Sequence, residues 1–485
     1  MELPRSSQRL EVMPATRRDA GNSKSCLEPT RPPERPIHMM NTRLLAAFFA
    51  LALVAAACGS TDSAATTSAP PGPTSTTVDP GNRTEAFDPG DIAQVSLSRA
   101  TPAVTDADIA AVVAADSEFG LDLFGIVAAD ENTMISPYSI ATALSMLYPG
   151  ARGATAEEIA DVLHLSVDDA TLHAVRNHID TALATPPPPM GSDDTREPFT
   201  IRPANSAWGQ GGYPFLDDYL SILAADYGAG LRLLDYVGDP EGSRAIINQW
   251  VEDATEDRIK DLIPEGAITV DTRLALVNAI WFYANWFEQF DPELTAPGTF
   301  TLLDGSDIKV PLMHTNLRTG YADTGLFEAV RLPYAGDAAM VVLLPKSGSP
   351  AELAAALGPQ DLNIAWGDHR VEITLPSFEF EAEVALKPAL KELGMTTAFE
   401  LPSGDGADLT GITEIRELYV SDAFHKTFIA LDEEGTEAAA ATAIIVSLES
   451  APEPATFTAD QPFLFWIEHS SSGEMLFLGQ VTNPA

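Results

Sequence analysis

One segment restricts the fold more than any other. Glu433–Ser450 reads Glu-Glu-Gly-Thr-Glu-Ala-Ala-Ala-Ala-Thr-Ala-Ile-Ile-Val-Ser-Leu-Glu-Ser. Helix propensity favours its front half, with four alanines behind a Glu-rich start. Strand propensity favours Thr442–Val446. At the strand period one face carries Thr436, Ala438, Ala440, Thr442, Ile444, Val446 and Leu448, seven alternate positions without a charge. Glu437 and Glu449 fall on the other face, as a half-buried strand requires. The apolar face begins small and ends large, and Gly435 at its front supplies a hinge with unrestricted φ. The segment can therefore stand as a loop or helix, or enter a sheet with an apolar face ready. Small leading side chains lower the steric barrier to sliding between packed strands.

The rest of the chain must supply that sheet. At 485 residues and 51.6 kDa the length admits about three domains of the usual ~150 residues, or one large mixed fold. Hydrophobic residues are 45% and charged residues 20%, which excludes global disorder and a polytopic membrane protein. Lys+Arg is 28 against Asp+Glu 70, a net charge of −42, which excludes a nucleic-acid partner and leaves a well-solvated, self-repelling surface. The two cysteines, Cys26 and Cys58, both precede the folded part, so no disulfide framework or thiolate metal site is expected within it. His173 and His178 are five apart, which misses the helical metal-site spacing. No Gly-x-Ser-x-Gly, His-Glu-x-x-His or Gly-rich phosphate loop occurs, so nothing points to an enzyme, a metal or a cofactor.

Residues 1–38 are polar, Pro/Arg-rich and aperiodic, an extension outside the fold that fits a start at Met39 or Met40. Residues 39–58 carry Arg43, the fourteen-residue apolar run Leu44–Ala57, and Cys58. That run is too short to span a bilayer and suits a signal-peptide core. Cys58 directly after Ala55, Ala56 and Ala57 resembles a bacterial lipobox, although Ala55 stands where Leu is more typical. The product is expected to begin at a lipidated Cys58 on the outer side of the cell membrane, or to be secreted after ordinary cleavage. Residues 59–100, rich in Ser, Thr, Pro, Gly and Ala up to about Asp91, are expected to be a disordered tether.

The folded part, 101–485, mixes periods and is expected to be α+β. Asp106–Ala128, Ser139–Leu147 (with Pro137 in its first turn) and Ser243–Glu256 carry helical patterns. Thr155 and Glu158 have the spacing of a capping box. The four prolines within Thr185–Glu197 mark an exposed loop. Arg273–Tyr283 and Ala338–Leu344 are apolar runs suited to strands buried on both faces. Val371–Phe380 alternates as one half-buried strand, and Phe463–Ile467 and Met475–Val481 flank the turn His469–Gly473.

Several stretches resemble the serpins in order and spacing. They are Asn132-Thr-Met-Ile-Ser-Pro-Tyr-Ser-Ile-Ala-Thr-Ala-Leu-Ser-Met-Leu, Gly150-Ala-Arg-Gly-Ala-Thr-Ala-Glu-Glu-Ile, Ile247-Asn-Gln-Trp-Val-Glu, Leu276-Val-Asn-Ala-Ile-Trp-Phe-Tyr-Ala-Asn-Trp, His425-Lys, Pro462-Phe-Leu-Phe-Trp-Ile and Phe477-Leu-Gly-Gln-Val-Thr-Asn-Pro. The resemblance implies the serpin fold: a large, mostly antiparallel central sheet, further sheets, eight to nine helices and an exposed reactive-centre loop. It implies a monomeric suicide inhibitor of serine, and by extension cysteine, proteases. The cut loop inserts into the sheet while the protease is still held as an acyl-enzyme. The alternative within the family is a non-inhibitory surface binding module.

By position, Glu433, Glu434, Gly435, Thr436, Glu437, Ala438, Ala439, Ala440, Ala441 and Thr442 match the hinge. Ser136, Ser139, Asn278 and His425 match the shutter beneath the sheet. Trp286 matches the aromatic residue where insertion starts. The reactive bond falls at Glu449–Ser450 counted from the hinge, or at Leu448–Glu449 counted back from Phe457. Tyr283-Ala284 replaces the Lys-Gly often found in the central strand, and Trp281 replaces a smaller aromatic. No basic helix for a polyanion is evident.

Overall fold

The computed structural model describes residues 75–76, 88–185, 199–436 and 453–485, all within the unit Ser68–Ala485. Cys58 and the leader, most of the expected tether, most of the Pro-rich loop, and Glu437, Ala438, Ala439, Ala440, Ala441, Thr442, Leu448, Glu449 and Ser450 lie outside the described residues.

Several helices start where a side chain can satisfy their free N–H groups. In α1 (Asp106–Val127) the Thr105 hydroxyl accepts from the Asp108 N–H at 3.2 Å, and the Asp108 carboxylate accepts from the Thr105 N–H at 3.0 Å. In α2 (Pro137–Leu147) Ser136 is the cap and Pro137 takes the first turn, as its spacing predicts. The capping box expected at Thr155 and Glu158 does not form. The helix α3 (Gly153–Val162) begins earlier, and Gly153 at its start adopts φ +53°. Both side chains then bind distant backbone: Thr155 accepts from the Asp408 N–H at 3.0 Å, and Glu158 from the N–H groups of Thr396 and Thr397 at 2.8 and 2.7 Å. The remaining helices are α4 (Asp169–Ala184), α5 (Asp217–Tyr227), α6 (Pro240–Ala254), α7 (Pro350–Ala356) and α8 (Leu386–Leu393).

The strands are β1 (Ser75–Thr76), β2 (Ile92–Ala93), β3 (Thr133–Ile135), β4 (Thr200–Gln210), β5 (Leu231–Leu234), β6 (Leu274–Asn285), β7 (Ala296–Thr301), β8 (Asp307–Asp323) and β9 (Phe327–Pro333). They continue with β10 (Ala338–Pro345), β11 (Gly367–Pro376), β12 (Phe378–Ala385), β13 (Val420–Leu431), β14 (Gly435–Thr436), β15 (Glu453–Thr458), β16 (Phe463–His469) and β17 (Glu474–Val481). One sheet has the order β1-β2-β5-β4-β6-β14-β13-β12, and β6 also pairs with β13. A second runs β15-β11-β8-β9-β10-β16-β17-β3, with β7 on β8. The first sheet is mostly antiparallel, with parallel joins at β1–β2, β4–β5 and β6–β13. The α+β class and the serpin-type sheets expected from the sequence are both present.

Two expectations are corrected. Val371–Phe380 is two strands: Pro376 ends β11 in the second sheet and Ser377 turns the chain into β12 in the first. Residues 88–100, assigned to the tether, belong to the folded unit. Ile92 and Ala93 pair with Arg232 and Leu231, and Arg99 bonds Asp180 at 2.5 Å and Asn177 at 2.8 Å.

β6 is buried on both faces, as its nearly continuous apolar run predicts. Ile280, Phe282 and Ala284 join a core shared with the second sheet, whereas Ala275, Val277 and Ala279 face α6 and the chain after it. A charged cluster lies in the interior. Arg176 is fully enclosed and pairs with Asp116 through both terminal nitrogens, one bond being 2.6 Å, and donates to Ser145 at 3.2 Å. Glu474 is also fully enclosed, and among the described residues no donor reaches its oxygens. Burial first, and then the Asp116 charge, raise its pKa well above the carboxylate range, so it is held neutral.

A group raised in this way contributes stability that is complete below its unfolded value of 4.5 and is lost as pH climbs toward its native value. In that window the loss approaches ~1.4 kcal/mol per pH unit. Glu474→Gln, which imitates the neutral acid, should remove this part of the decline. Thermal midpoints measured from pH 5 to 9 should fall less steeply for the variant than for the parent.

Candidate functional site

The site is a fork in the first sheet. β6 and β13 run parallel and paired from Leu274 and Val420 to Ile280 and Thr427. Beyond that point they part, and β14 sits between them: Gly435 faces Asn285, and Thr436 faces Ala284 on one side and Leu431 on the other. The chain leaving β13 has thus turned back and entered the mouth of the seam. Of the ten residues expected to form the hinge, Glu433, Glu434, Gly435 and Thr436 are described, and the last two are strand.

Local chemistry accounts for this seating. A Cβ on Gly435 would lie 2.1 Å from the Ala284 carbonyl oxygen at φ +155°, so only glycine fits. The Asp432 carboxylate accepts the N–H groups of Glu434 and Gly435 at 2.9 and 3.2 Å, which closes the turn. The Trp286 backbone N–H donates to the Glu434 carbonyl at 2.8 Å, and its indole N–H to the Asp432 carbonyl at 3.0 Å. Its ring stacks on Tyr334 at 4.4 Å and 6°, and the Tyr334 hydroxyl bonds that of Thr436 at 2.8 Å. The Phe290 N–H reaches the Glu433 carbonyl at 2.9 Å, and the Thr295 hydroxyl donates to the Glu433 carboxylate at 2.6 Å. Burial raises the pKa of Asp432. Burial, and then the charges of Asp432 and Glu433, raise that of Glu434.

Below the mouth, Ser136, Ser139, Asn278 and His425 converge at the paired part of the seam, and all four are buried. His425 and Asn278 are direct partners across β13 and β6. Burial pushes the His425 pKa down to about 3, so the ring is neutral. Its Nε2 accepts the Ser136 N–H at 3.0 Å, which leaves Nδ1–H to donate to the Asn278 side-chain oxygen. The Asn278 amide donates to Ser139 Oγ at 2.9 Å and to the Asn205 oxygen at 2.8 Å. The Ser139 hydroxyl donates to the same Asn205 oxygen at 2.6 Å, and that of Ser136 to the Leu476 carbonyl at 2.6 Å. The network ties β4, β6, β13, β17 and the start of α2 into one knot.

Sequence reasoning did not find Asn205, Tyr334 or Asp432. Asp432 carries a readable cue, an Asp three residues before a Gly at the end of a strand. Asn205 and Tyr334 become neighbours of the site only through sheet pairing. Among the described residues no group of three or more His, Cys, Asp or Glu side chains could hold a metal, and no helix is long and apolar enough to cross a membrane.

This architecture is shared with known proteins. The family model for Serpin (serine protease inhibitor) matches residues 114–484. An uncharacterized serpin-like protein of Thermococcus kodakarensis is 37% identical over 382 residues, covering 77% of this chain and 86% of its own. The human leukocyte elastase inhibitor is 33% identical over 388 residues, covering 76% and 98%. The crystal structure of the thermophilic serpin tengpin in its native state superposes with a TM-score of 0.71 at 26% identity, over 82% of this chain and all of that one. The chain belongs to the serpin family.

A neutral buried histidine costs stability in acid. The unfolded ring takes a proton below 6.5, while the folded one resists until about 3, so stability should drain away as pH falls through that window at up to ~1.4 kcal/mol per unit. His425→Asn should be less stable at pH 7 and should show a shallower acid slope, read from denaturant midpoints at pH 7, 5.5 and 4.5.

Proposed function

We propose that this serpin is a suicide-type inhibitor of serine proteases, trapping the acyl-enzyme when the severed loop adds as a strand between β6 and β13. The observation that carries this reading is the seating of Gly435 and Thr436 at the mouth of that seam. Directly behind them in sequence come Glu437 and the small residues Ala438–Ala441. Further entry would pass alternate small side chains under the sheet, and the apolar face from Thr436 to Leu448 would become buried. A family relative named leukocyte elastase inhibitor supports inhibition over storage.

In this reading Ser136, Ser139, Asn278, His425 and Asn205 are the lock that must open as the strands part, because the His425–Asn278 bond lies across the join. Trp286 and Tyr334 hold the hinge at its starting point. The protease attacks at Glu449–Ser450, or at Leu448–Glu449. Its covalent acyl complex is the protein's principal partnership, and no cofactor is needed. The uncut chain is held by a barrier in a state less stable than the inserted one, so its persistence is kinetic. The chain acts outside the cell, tethered through a lipid on Cys58 or released after cleavage of the leader.

Incubation with a panel of serine proteases should yield a complex that survives SDS, and the mass of the released C-terminal peptide identifies the bond cut. Thr436→Arg should convert the inhibitor to a substrate, with complex yield falling at least about tenfold. Thr436 is 1% exposed and bonded to Tyr334, where a guanidinium has neither room nor counter-charge. A variant that still traps the protease as well as its parent rules out insertion. Cys58→Ser should move the protein from the membrane fraction to the medium if the lipid is its anchor.

A further inference from the structure

α6 and residues 255–268 form a cover on the face of the first sheet that looks away from the second. Ile247 and Val251 of α6, with Ile259, Leu262 and Ile263 after it, share a core with Ala204 and Trp208 of β4, Leu234 of β5, and Ala275, Val277 and Ala279 of β6. Phe424 and Phe428 of β13 pack on the rim of the same core. The cover therefore bridges both sides of the β6–β13 seam, and any parting of those strands must break its hold on one side.

The two sides are held differently. On β13 the polar attachment is a solvent-facing bond from the Lys426 ammonium to the Lys260 carbonyl at 3.1 Å. On the far side, Arg232 of β5 lies in the corner between two indole rings. Its guanidinium carbon is 4.7 Å from the centre of Trp250 on α6 and 5.2 Å from that of Trp208 on β4. The rings meet edge to face at 5.6 Å and 73°. Trp208 is rigid: its indole N–H donates to Ser206 Oγ at 2.6 Å, and its carbonyl accepts the Tyr236 hydroxyl at 3.1 Å. Arg232 stands opposite Trp208 in the β4–β5 register and opposite Ile92 on β2, so its backbone is paired on both sides. A desolvated guanidinium gains most from aromatic faces where no carboxylate competes, and among the described residues no ion pair engages Arg232.

We propose that Arg232 is a positioning residue that fixes the cover to the β4–β5 side. When β6 and β13 separate, the cover then peels from β13 and stays over β4 and β5. The attachment stands on the geometry alone, and its consequence for trapping rests on the inhibitor reading above.

Hydrogen exchange of α6 amides in the intact protein tests the attachment. Arg232→Met keeps the length and loses the charge, and should raise exchange of the Ile246–Val251 amides about three- to fivefold. Arg232→Lys restores a cation over the rings and should recover most of the protection, which a purely apolar packing role would not allow. Trp250→Phe retains a ring face and should give an intermediate value if the Met variant folds poorly. In parent protein cut once within 437–452, α6 should stay as protected as in the uncut state. Unchanged exchange in Arg232→Met, no recovery with Lys, or loss of α6 protection on cutting would each overturn the proposal. If the parent forms no covalent protease complex and gains no thermal stability on cutting, the inhibitor reading fails, and the intact-protein series still decides the role of Arg232.

Discussion

The rest of the structure depends on the place where β6 and β13 stop pairing. As far as Ile280 and Thr427 the two strands share a regular ladder, and beyond it they diverge around the returning chain. A ladder that ends inside a sheet leaves backbone groups that must find partners or stay dry at a cost. Here Gly435 and Thr436 supply partners at the mouth, and the remaining gap is governed by side chains. The knot of Ser136, Ser139, Asn205, Asn278 and His425 keeps the paired half closed. Its closure relies on a neutral imidazole with one donor and one acceptor nitrogen, each used once. A protonated ring would offer two donors to a site arranged for one of each.

The returning chain at Gly435 and Thr436 is held with comparable economy. Trp286 uses its backbone N–H and its indole N–H on two carbonyls of the reversing turn, those of Glu434 and Asp432, and its ring leans on Tyr334, which in turn holds Thr436. Asp432 satisfies the turn that reverses direction. These contacts come from the ends of β6, β9 and β13, so the mouth is assembled from three segments well separated in the chain, and each is braced by a strand.

Much of the fold could be read from the chain because its strongest signals are local. The nearly continuous apolar run of β6, the Ser-Pro start of α2 and the patterning of α1 and α6 fall within a residue or a few of their observed limits. The failures share a different origin. Thr155 and Glu158 have the right spacing for a cap, yet both are claimed by backbone from beyond residue 395, which no local rule can weigh. In Val371–Phe380 the apolar positions run 371, 373 and 375 and then shift phase to 378 and 380, and that shift, with the proline at 376, betrays that it serves two sheets. The stretch before Thr101 has loop-like composition, but its Ile92–Ala93 is captured as a strand on β5, which would otherwise leave a side unpaired. At the site, the polar residues of β6 and β13 were legible by resemblance, whereas Asn205 and Tyr334 enter only through the register of neighbouring strands.

The parallel join between β6 and β13 carries one more implication. A segment that leaves the end of β13 and doubles back must run against β13, and because β6 points the same way as β13 it must also run against β6. Once past Ile280 and Thr427, each residue that enters would exchange part of one slanted ladder for two perpendicular ones, the geometry in which backbone bonds are better aligned. The direction of gain is therefore written into the topology before any side chain is considered, and a foreign strand of the opposite polarity would find neither edge in register.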